Sequence, residues 1–446
     1  MSNLVVEVCR VEKVEPHPNA DRMKIATVKG WKTAIKYDPA TDKAQFQVGD
    51  LCIYFPPDSI LPPQLANAPD DEIPGRLNIA KYLKSLPKQD GQRPQGGRVA
   101  AARLRGQPSY GVIMELDPRF GDDPNWAVGT DVADHFGITK WEPPLEATDG
   151  DAERAHTNFP TFASPEHYGN YPLLLDGEEV VFTEKIHGKN ARLGLVLAEN
   201  EAGEPTWTFM AGSHGVRRKE FMPQFRRFPA DELPSIDPAT VAVGQVFSTQ
   251  NRTWQVDEVR QSEDKRTGET RVYLRAMLLG SEGQPQMVRS EFWCMMTEEV
   301  KSFLQYVRDE FPWPEPKVSI VLFGELFGSG VQDMAYGQKA KSFRAFDVTI
   351  NGQYLDFDDK TRLLSAHGIE QVPILYRGPF SLELMEQYTN GPTTLCDSSS
   401  AGSFKGREGI VMLPVHERFC SPLGKRLCLK SISADYLARS GGTDSR

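Results

Sequence analysis

Long apolar runs are missing from these 446 residues, so no stretch is long enough to span a bilayer as a helix. The start, Met1-Ser2-Asn3-Leu4-Val5-Val6-Glu7, has no basic segment leading into an apolar one, and no signal peptide is expected. Cysteine is scarce and scattered. Cys9, Cys52, Cys294, Cys396, Cys420 and Cys428 contain no C-x-x-C pair, which speaks against a zinc ribbon or a disulfide framework and leaves a reducing cytoplasm as the expected setting. An excess of positive charge is missing too. With 51 Lys and Arg against 61 Asp and Glu the net charge is -10, so a phosphate backbone would have to be met by local basic patches. Such patches occur at Arg98, Arg103 and Arg105, and at Arg217, Arg218, Lys219, Arg226 and Arg227. Repeats and long low-complexity segments are absent, although Asp397 to Ser403 reads as a mobile surface loop.

What is present divides the chain in two. Leu4 to Val14 alternates loosely between apolar and polar positions, and His17-Pro18-Asn19-Ala20-Asp21-Arg22 is a turn. Met23 to Val28, Gln45 to Val48, Leu51 to Phe55 and Gly111 to Leu116 read as short strands separated by Gly, Pro and Asp, which predicts a small β-barrel over residues 1–118. Gly, Pro, Asp and Trp then become prominent, and residues 119–160 read as a linker around Trp141-Glu142-Pro143-Pro144. Residues 161–446 alternate strands with fewer helices, so the overall class is α+β. The clearest helix is Thr297 to Glu310, with Val300, Phe303, Leu304 and Val307 on one face. Residues 228–296 hold alternating runs such as Arg271 to Leu279 and are expected to be folded β structure of no assigned role.

One stretch carries chemistry. Val180-Val181-Phe182-Thr183-Glu184-Lys185-Ile186-His187-Gly188-Lys189-Asn190 is a β-branched, apolar run that delivers a lysine to a strand end, with a glycine three residues on to let the backbone approach a bulky ligand. Lysine is a weak nucleophile at its ordinary pKa of about 10.4, so a site that uses it must favour the free amine, for example with cations nearby. Lys189, Arg192 or a bound metal could supply them. Further along come Phe323-Gly324-Glu325-Leu326-Phe327-Gly328, Val331 to Gly337, Phe343-Arg344-Ala345-Phe346-Asp347-Val348, Arg407-Glu408-Gly409-Ile410-Val411-Met412 and Arg426-Leu427-Cys428-Leu429-Lys430-Ser431-Ile432.

In this order these segments resemble motifs I, III, IIIa, IV and V of the covalent nucleotidyltransferase superfamily of ligases and capping enzymes. Glu-Lys-Ile-His-Gly-x-Asn and Phe-Gly-Glu resemble the RNA ligase 2 family more narrowly. His17 to Arg22, Gly49 to Pro56 and Leu104 to Gly111 resemble the OB domain that precedes the catalytic domain in the Deinococcus and Naegleria type of ATP-dependent RNA ligase. The resemblance implies an OB-like barrel followed by an ATP-grasp-like nucleotidyltransferase domain of antiparallel sheets and helices. It implies a monomeric, soluble enzyme that uses ATP and Mg2+ or Mn2+ to join RNA 3′-OH and 5′-phosphate ends, with nicked duplex RNA as its partner.

The resemblance also implies roles for individual residues. Lys185 would be the nucleophile that carries AMP, with His187 and Lys430 as further catalytic groups. ATP would be held by Glu184, Lys185, Asn190, Glu325, Phe346, Glu408 and Lys430, with Phe346 on the adenine and Glu325 and Glu408 as metal ligands. Asn190 and either Arg217 or Arg218 would meet nucleic acid. Motif V departs from the family, which has two lysines one residue apart: with Lys430 as the first, the second position holds Ile432, and with Lys430 as the second, the register favoured by the apolar alternation before it and Tyr436 after it, the first holds Cys428; Arg426 and Lys425 are the nearest substitutes. A capping-type guanylyltransferase and a non-catalytic RNA-binding protein with a ligase fold are the alternatives. Because every motif follows the linker, a chain beginning near Asp151 is expected to keep lysine–AMP formation.

Overall fold

The computed structural model describes residues 4–66, 77, 79, 82–84, 86, 96–141, 150–263, 270–397, 400 and 404–439. Among these, no helix is long and apolar enough to cross a membrane. Most of the serine-rich segment from Asp397 to Ser403 lies outside the described residues.

The amino-terminal domain is built around the strand Leu51–Phe55, which pairs antiparallel with Glu7–Arg10 on one side and Val112–Met114 on the other. Its apolar run is explained by burial on both faces: Ile53 and Phe55 enter one core with Val6, Val8 and Leu61, while Cys52 and Tyr54 enter a second with Cys9, Ala26 and Ile35. A four-stranded meander of Lys13–Pro16, Met23–Val28, Trp31–Asp38 and Lys43–Ala44 completes the barrel wall. The strand Trp31–Asp38 was not expected, and Gln45 to Val48 is a bend and turn instead of a strand. The His17 to Arg22 turn has a structural task, since His17 Nε2 meets the Leu104 carbonyl at 3.1 Å and Asn19 Nδ2 donates to that of Arg105 at 3.0 Å.

The linker assignment requires correction. Thr139–Lys140 pairs with Ser59–Leu61, Val132 and Ile138 sit in the barrel core, and the Arg98 guanidinium lies 3.5 Å from the ring centre of Trp141. Ala152–Glu153 and Phe159 belong instead to the second domain. Only residues 142–149, outside the described residues, separate the two. Asp117, Gly121, Gly129 and Gly137 shape short turns within a packed unit, and composition alone cannot tell such turns from a linker.

Two sheets make the second domain. Glu179–Lys185 lies in a five-stranded sheet between Gly409–Pro414 and Ile374–Pro379, with Leu429–Ile432 beyond Gly409–Pro414. The other sheet has seven strands, with Lys189–Glu199 and Ser319–Gly328 at its centre and Lys341–Ile350 next to them. The helix Glu298–Asp309, capped by Thr297, packs Val300, Phe303, Leu304 and Val307 against this sheet as their spacing requires. The strands Phe225–Pro229, Val246–Thr249, Arg252–Glu263 and Thr270–Leu279 form a separate four-stranded sheet with its own core of Phe228, Trp254, Leu274 and Leu278. The barrel does not hang free. Tyr110, with Trp31 and Ala101 alongside, packs in one cluster with Ile186, Tyr336, Ile432 and Tyr436, and Arg103 pairs with Asp435.

Candidate active site

Strand alternation decides which side chains face the junction of the two sheets. Val181, Thr183 and Lys185 share one face of their strand, while Phe182 turns into the core with Ile410 and Met412. Thr183 lies opposite Val411 and Val411 opposite Lys430, so Lys430 stands two strands away on the same face as Lys185. Two close approaches explain the glycines of these motifs. A Cβ at Gly409 would sit 2.1 Å from the Ser431 carbonyl oxygen, and one at Gly188 would sit 2.3 Å from that of Leu326. Gly188 therefore serves strand packing, and not only room for a ligand.

Lys185 Nζ donates to Glu408 Oε1 at 2.5 Å. Burial works against charge on Glu408, yet the adjacent Lys185 and His187 hold its carboxyl below the ordinary range. Glu325, on the facing strand, behaves oppositely. Burial pushes it up to about 8, against the pull of Lys185 and with the help of Glu408's negative charge, although the Gly188 N–H points to it. Asn190 is cross-strand to Glu325, and its buried Oδ1 has no hydrogen-bond partner.

His187 is held on both ring nitrogens. Nε2 meets Asp333 Oδ1 at 2.7 Å, Nδ1 meets Tyr436 Oη at 2.9 Å, and Glu408 Oε2 lies 3.6 Å from Nδ1. Its backbone N–H donates to Tyr336 Oη at 2.8 Å, and Arg439, paired with Asp333, stands 3.2 Å from Nε2. Asp333, Tyr436 and Arg439 carried no assigned role in the sequence. Tyr436, six residues after Lys430 and used only to set the register of motif V, was the one available hint.

Other expected site residues stand elsewhere. Glu184 faces away from Lys185, and its carboxylate accepts from Thr393 Oγ1 at 2.5 Å and from Thr394 N and Oγ1 at 2.8 and 2.6 Å. It anchors the loop that precedes Arg407. Phe346 occupies a β-bulge opposite Phe323 and Gly324, with its ring 4.8 Å from that of Phe162. The cations expected beside the nucleophile point elsewhere: Lys189 pairs with Glu291 at 3.0 Å, and buried Arg192 donates to the Phe159, Pro160 and Ser213 carbonyls. The motif V substitutes are likewise committed. Arg426 binds Asp347 at 2.7 Å and pairs with Glu417, whereas Lys425 binds Glu166 at 2.7 Å. Cys428 is buried, with its thiol pushed up to about 12 by desolvation.

Basic patches are also partly consumed. Arg98 is buried against Asp58, and Arg218 is buried with Asp151 at 2.7 Å, so neither can meet nucleic acid. Arg217 pairs with Glu153 at 2.8 Å but stays partly exposed.

Among the described residues no group of three or more His, Cys, Asp or Glu side chains is arranged to hold a metal ion. Two carboxylates, Glu325 and Glu408, flank Lys185, together with the unpartnered Asn190 oxygen. That set fits a hard cation that keeps waters and shares its coordination with phosphate oxygens.

An OB barrel followed by two mainly antiparallel sheets, with a lysine and two carboxylates where the sheets meet, is the architecture of a ligase-fold protein. The chain belongs to the RNA ligase family, whose profile matches residues 178–432, more than half of its length. Residues 5–116 match an OB-fold domain. Solved structures of Naegleria gruberi RNA ligase share the fold. The complex with pyrophosphate has a TM-score of 0.58 at 19% identity over 98% of both chains. A lysine-to-alanine mutant with ATP and Mn gives 0.60 at 20% identity over 97% of this chain and 98% of that one. A lysine-to-methionine mutant with AMP and Mn gives 0.59 at 19% identity over 99% of both. A search of curated proteins found no match.

Proposed function

We propose that this protein is an ATP-dependent RNA ligase that joins a 3′-OH to a 5′-phosphate through AMP carried on Lys185. The observation that carries the reading is the trio of Lys185, Glu408 and Glu325, set where the nucleotidyltransferase sheets meet, with Lys430 on the same face. Lys185 Nζ attacks the α-phosphorus of ATP, the bond to pyrophosphate breaks, and a phosphoramidate forms. The RNA 5′-phosphate then takes AMP from Lys185, and attack by the 3′-OH forms the phosphodiester and releases AMP.

The chain's own residues prepare these steps. The Glu408 carboxylate holds the Lys185 ammonium, so the lysine must exchange this partner before it can attack. Glu325 and Glu408 would hold a divalent cation, whose positive charge beside Lys185 would favour the free amine and offset negative charge on the phosphates. His187 is fixed by Asp333 and Tyr436, so its ring stays oriented towards Glu408. Lys430 and Arg439 are the cations proposed to face the phosphates. Phe346 and Phe162 form the aromatic wall proposed for adenine. The Naegleria complexes with ATP, AMP and Mn support the choice of nucleotide and metal. We extend the reading to nicked duplex RNA as substrate and to a monomer in a reducing cytoplasm, where six free thiols are at home.

The test is incubation with α-labelled ATP or GTP followed by denaturing electrophoresis. Label should enter the protein from ATP, and Lys185→Ala and Lys185→Arg should both abolish it while the fold persists. Labelling of either variant at the wild-type level refutes the assignment.

A further inference from the structure

The sheet inserted within residues 225–279 takes no part in the proposed chemistry, yet it has a sidedness that calls for a ligand. It follows the strand Arg217–Arg218, one strand in from the edge of the seven-stranded sheet, and the chain returns at Glu291, which holds Lys189 and Lys341. One face packs Trp254, Val256, Leu274 and Ala276 into a private core. The opposite face is set by register: Phe225 lies across from Met277, Arg227 from Arg275, and Tyr273 from Arg260. Phe225, Tyr273 and Met277 are half-buried, and Arg227 and Arg260 are exposed. The face thus carries aromatics interleaved with arginines.

Its electrostatics are specific. Arg275 stacks its guanidinium 3.7 Å from the Phe225 ring centre while pairing with Asp257 at 2.6 Å, and Arg260 pairs with Glu258 at 2.5 Å. Arg227 has no acidic partner among the described residues, so with Arg260 and Arg275 paired to Glu258 and Asp257 its charge leaves this face net positive on a chain of net charge -10. The adjoining ribbon extends the pattern, with Phe221 opposite Arg289 and both Phe221 and Met287 about half exposed. A protein partner would call for contiguous apolar area, whereas single aromatics set among guanidinium groups suit bases that stack and phosphates that pair.

We propose that the outer face of this inserted sheet, centred on Phe225, Arg227, Tyr273 and Arg275, binds a single-stranded segment of the RNA substrate. This rests on the RNA-ligase reading for the identity of the nucleic acid. The test uses the full chain, with Arg227→Gln and the double variant Phe225→Ser with Tyr273→Ser. Affinity is measured by fluorescence anisotropy for labelled single-stranded RNA and blunt duplex RNA at several salt concentrations.

The double variant should bind single strands roughly ten-fold more weakly, as expected for lost stacking. Arg227→Gln should lower the slope of log affinity against log salt by about 0.7, as for one lost phosphate contact on a single strand. Blunt duplex affinity should hold, and lysine–AMP formation should stay at the wild-type level in both variants. Unchanged single-strand affinity and salt slope overturn the proposal, as does a variant that instead changes the mass in light scattering and so marks the face as a self-association surface. Arg227 is exposed, so its replacement keeps the test valid even if the aromatic pair proves necessary for folding. Failure of the wild type to form lysine–AMP would refute the ligase reading, while the RNA affinities would still judge this face.

Discussion

Replacing Glu325 with glutamine should make the metal-free protein more stable at alkaline pH, because the native site favours a proton on that carboxyl. Burial, with Glu408 adding to it and Lys185 opposing it, raises the group from 4.5 to about 8. Between those two values the folded protein binds more protons than the unfolded chain, so stability falls as pH rises through the interval. The interval spans about 3.5 pH units, and each is worth about 1.36 kcal/mol, which sets a loss on the order of 5 kcal/mol by pH 9. Glutamine carries no charge and cannot suffer that loss. Urea unfolding from pH 5 to 9 in the presence of chelator should therefore show wild type and Glu325→Gln converging near pH 5, with the variant increasingly the more stable above it. Excess Mn2+ should reverse the order, since a cation on the carboxylate favours its ionised form, and binding near pH 7 should release about one proton. Parallel pH profiles with and without Mn2+ would refute the reasoning.

Three further outcomes follow from the site and its surroundings. Phe346→Ala should weaken self-adenylation by roughly 1 to 3 kcal/mol if the ring stacks on adenine, measured as the ATP dependence of lysine–AMP formation; kinetics like wild type would leave Phe346 with Phe162 alone. Arg218→Ala should destabilise the fold by about 3 kcal/mol or more in urea unfolding by stranding buried Asp151, whereas Arg217→Ala should leave stability nearly unchanged and lower RNA affinity. A chain beginning near Asp151 should lose stability and self-adenylation together, because it lacks Trp31 and Tyr110, and full labelling from ATP would refute that.

The strand that ends at Lys185 was legible because local chemistry specifies it: a β-branched apolar run ending in lysine admits few structures. The helix after Thr297 was legible for the same reason, through its cap and its one apolar face. The partners of these elements were not. Glu408 reaches Lys185 from 223 residues away, and His187 meets Asp333 and Tyr436 across similar distances, through pairings that no local pattern encodes. Arginines misled for a related reason. Arg218, Arg98 and Arg426 look like solvent-facing cations in sequence, yet each is buried against an acid supplied by a distant strand or loop. Glu184 was drawn to the nucleotide by its place beside Lys185, although alternation along a strand turns it to the opposite side.

The same reasoning bears on how the barrel serves the catalytic domain. Motif spacing suggests separable halves, since every ligase motif lies after residue 160 and the barrel contributes none. The packing argues otherwise. Ile186, between Lys185 and His187, is buried in one cluster with Tyr110, Tyr336, Ile432 and Tyr436, and Arg103 grips Asp435 at the start of the short helix that carries Tyr436. Tyr436 in turn holds His187 Nδ1. Removing the barrel would expose the apolar side chain of Ile186 beside Lys185, and would release the helix whose Tyr436 holds His187. Burial of this kind is worth about 25 cal/mol for each Å² kept from water, and it is spent where small displacements of Lys185 and His187 would matter most. The barrel therefore acts on the active site through a shared core, whether or not RNA also lies across its surface.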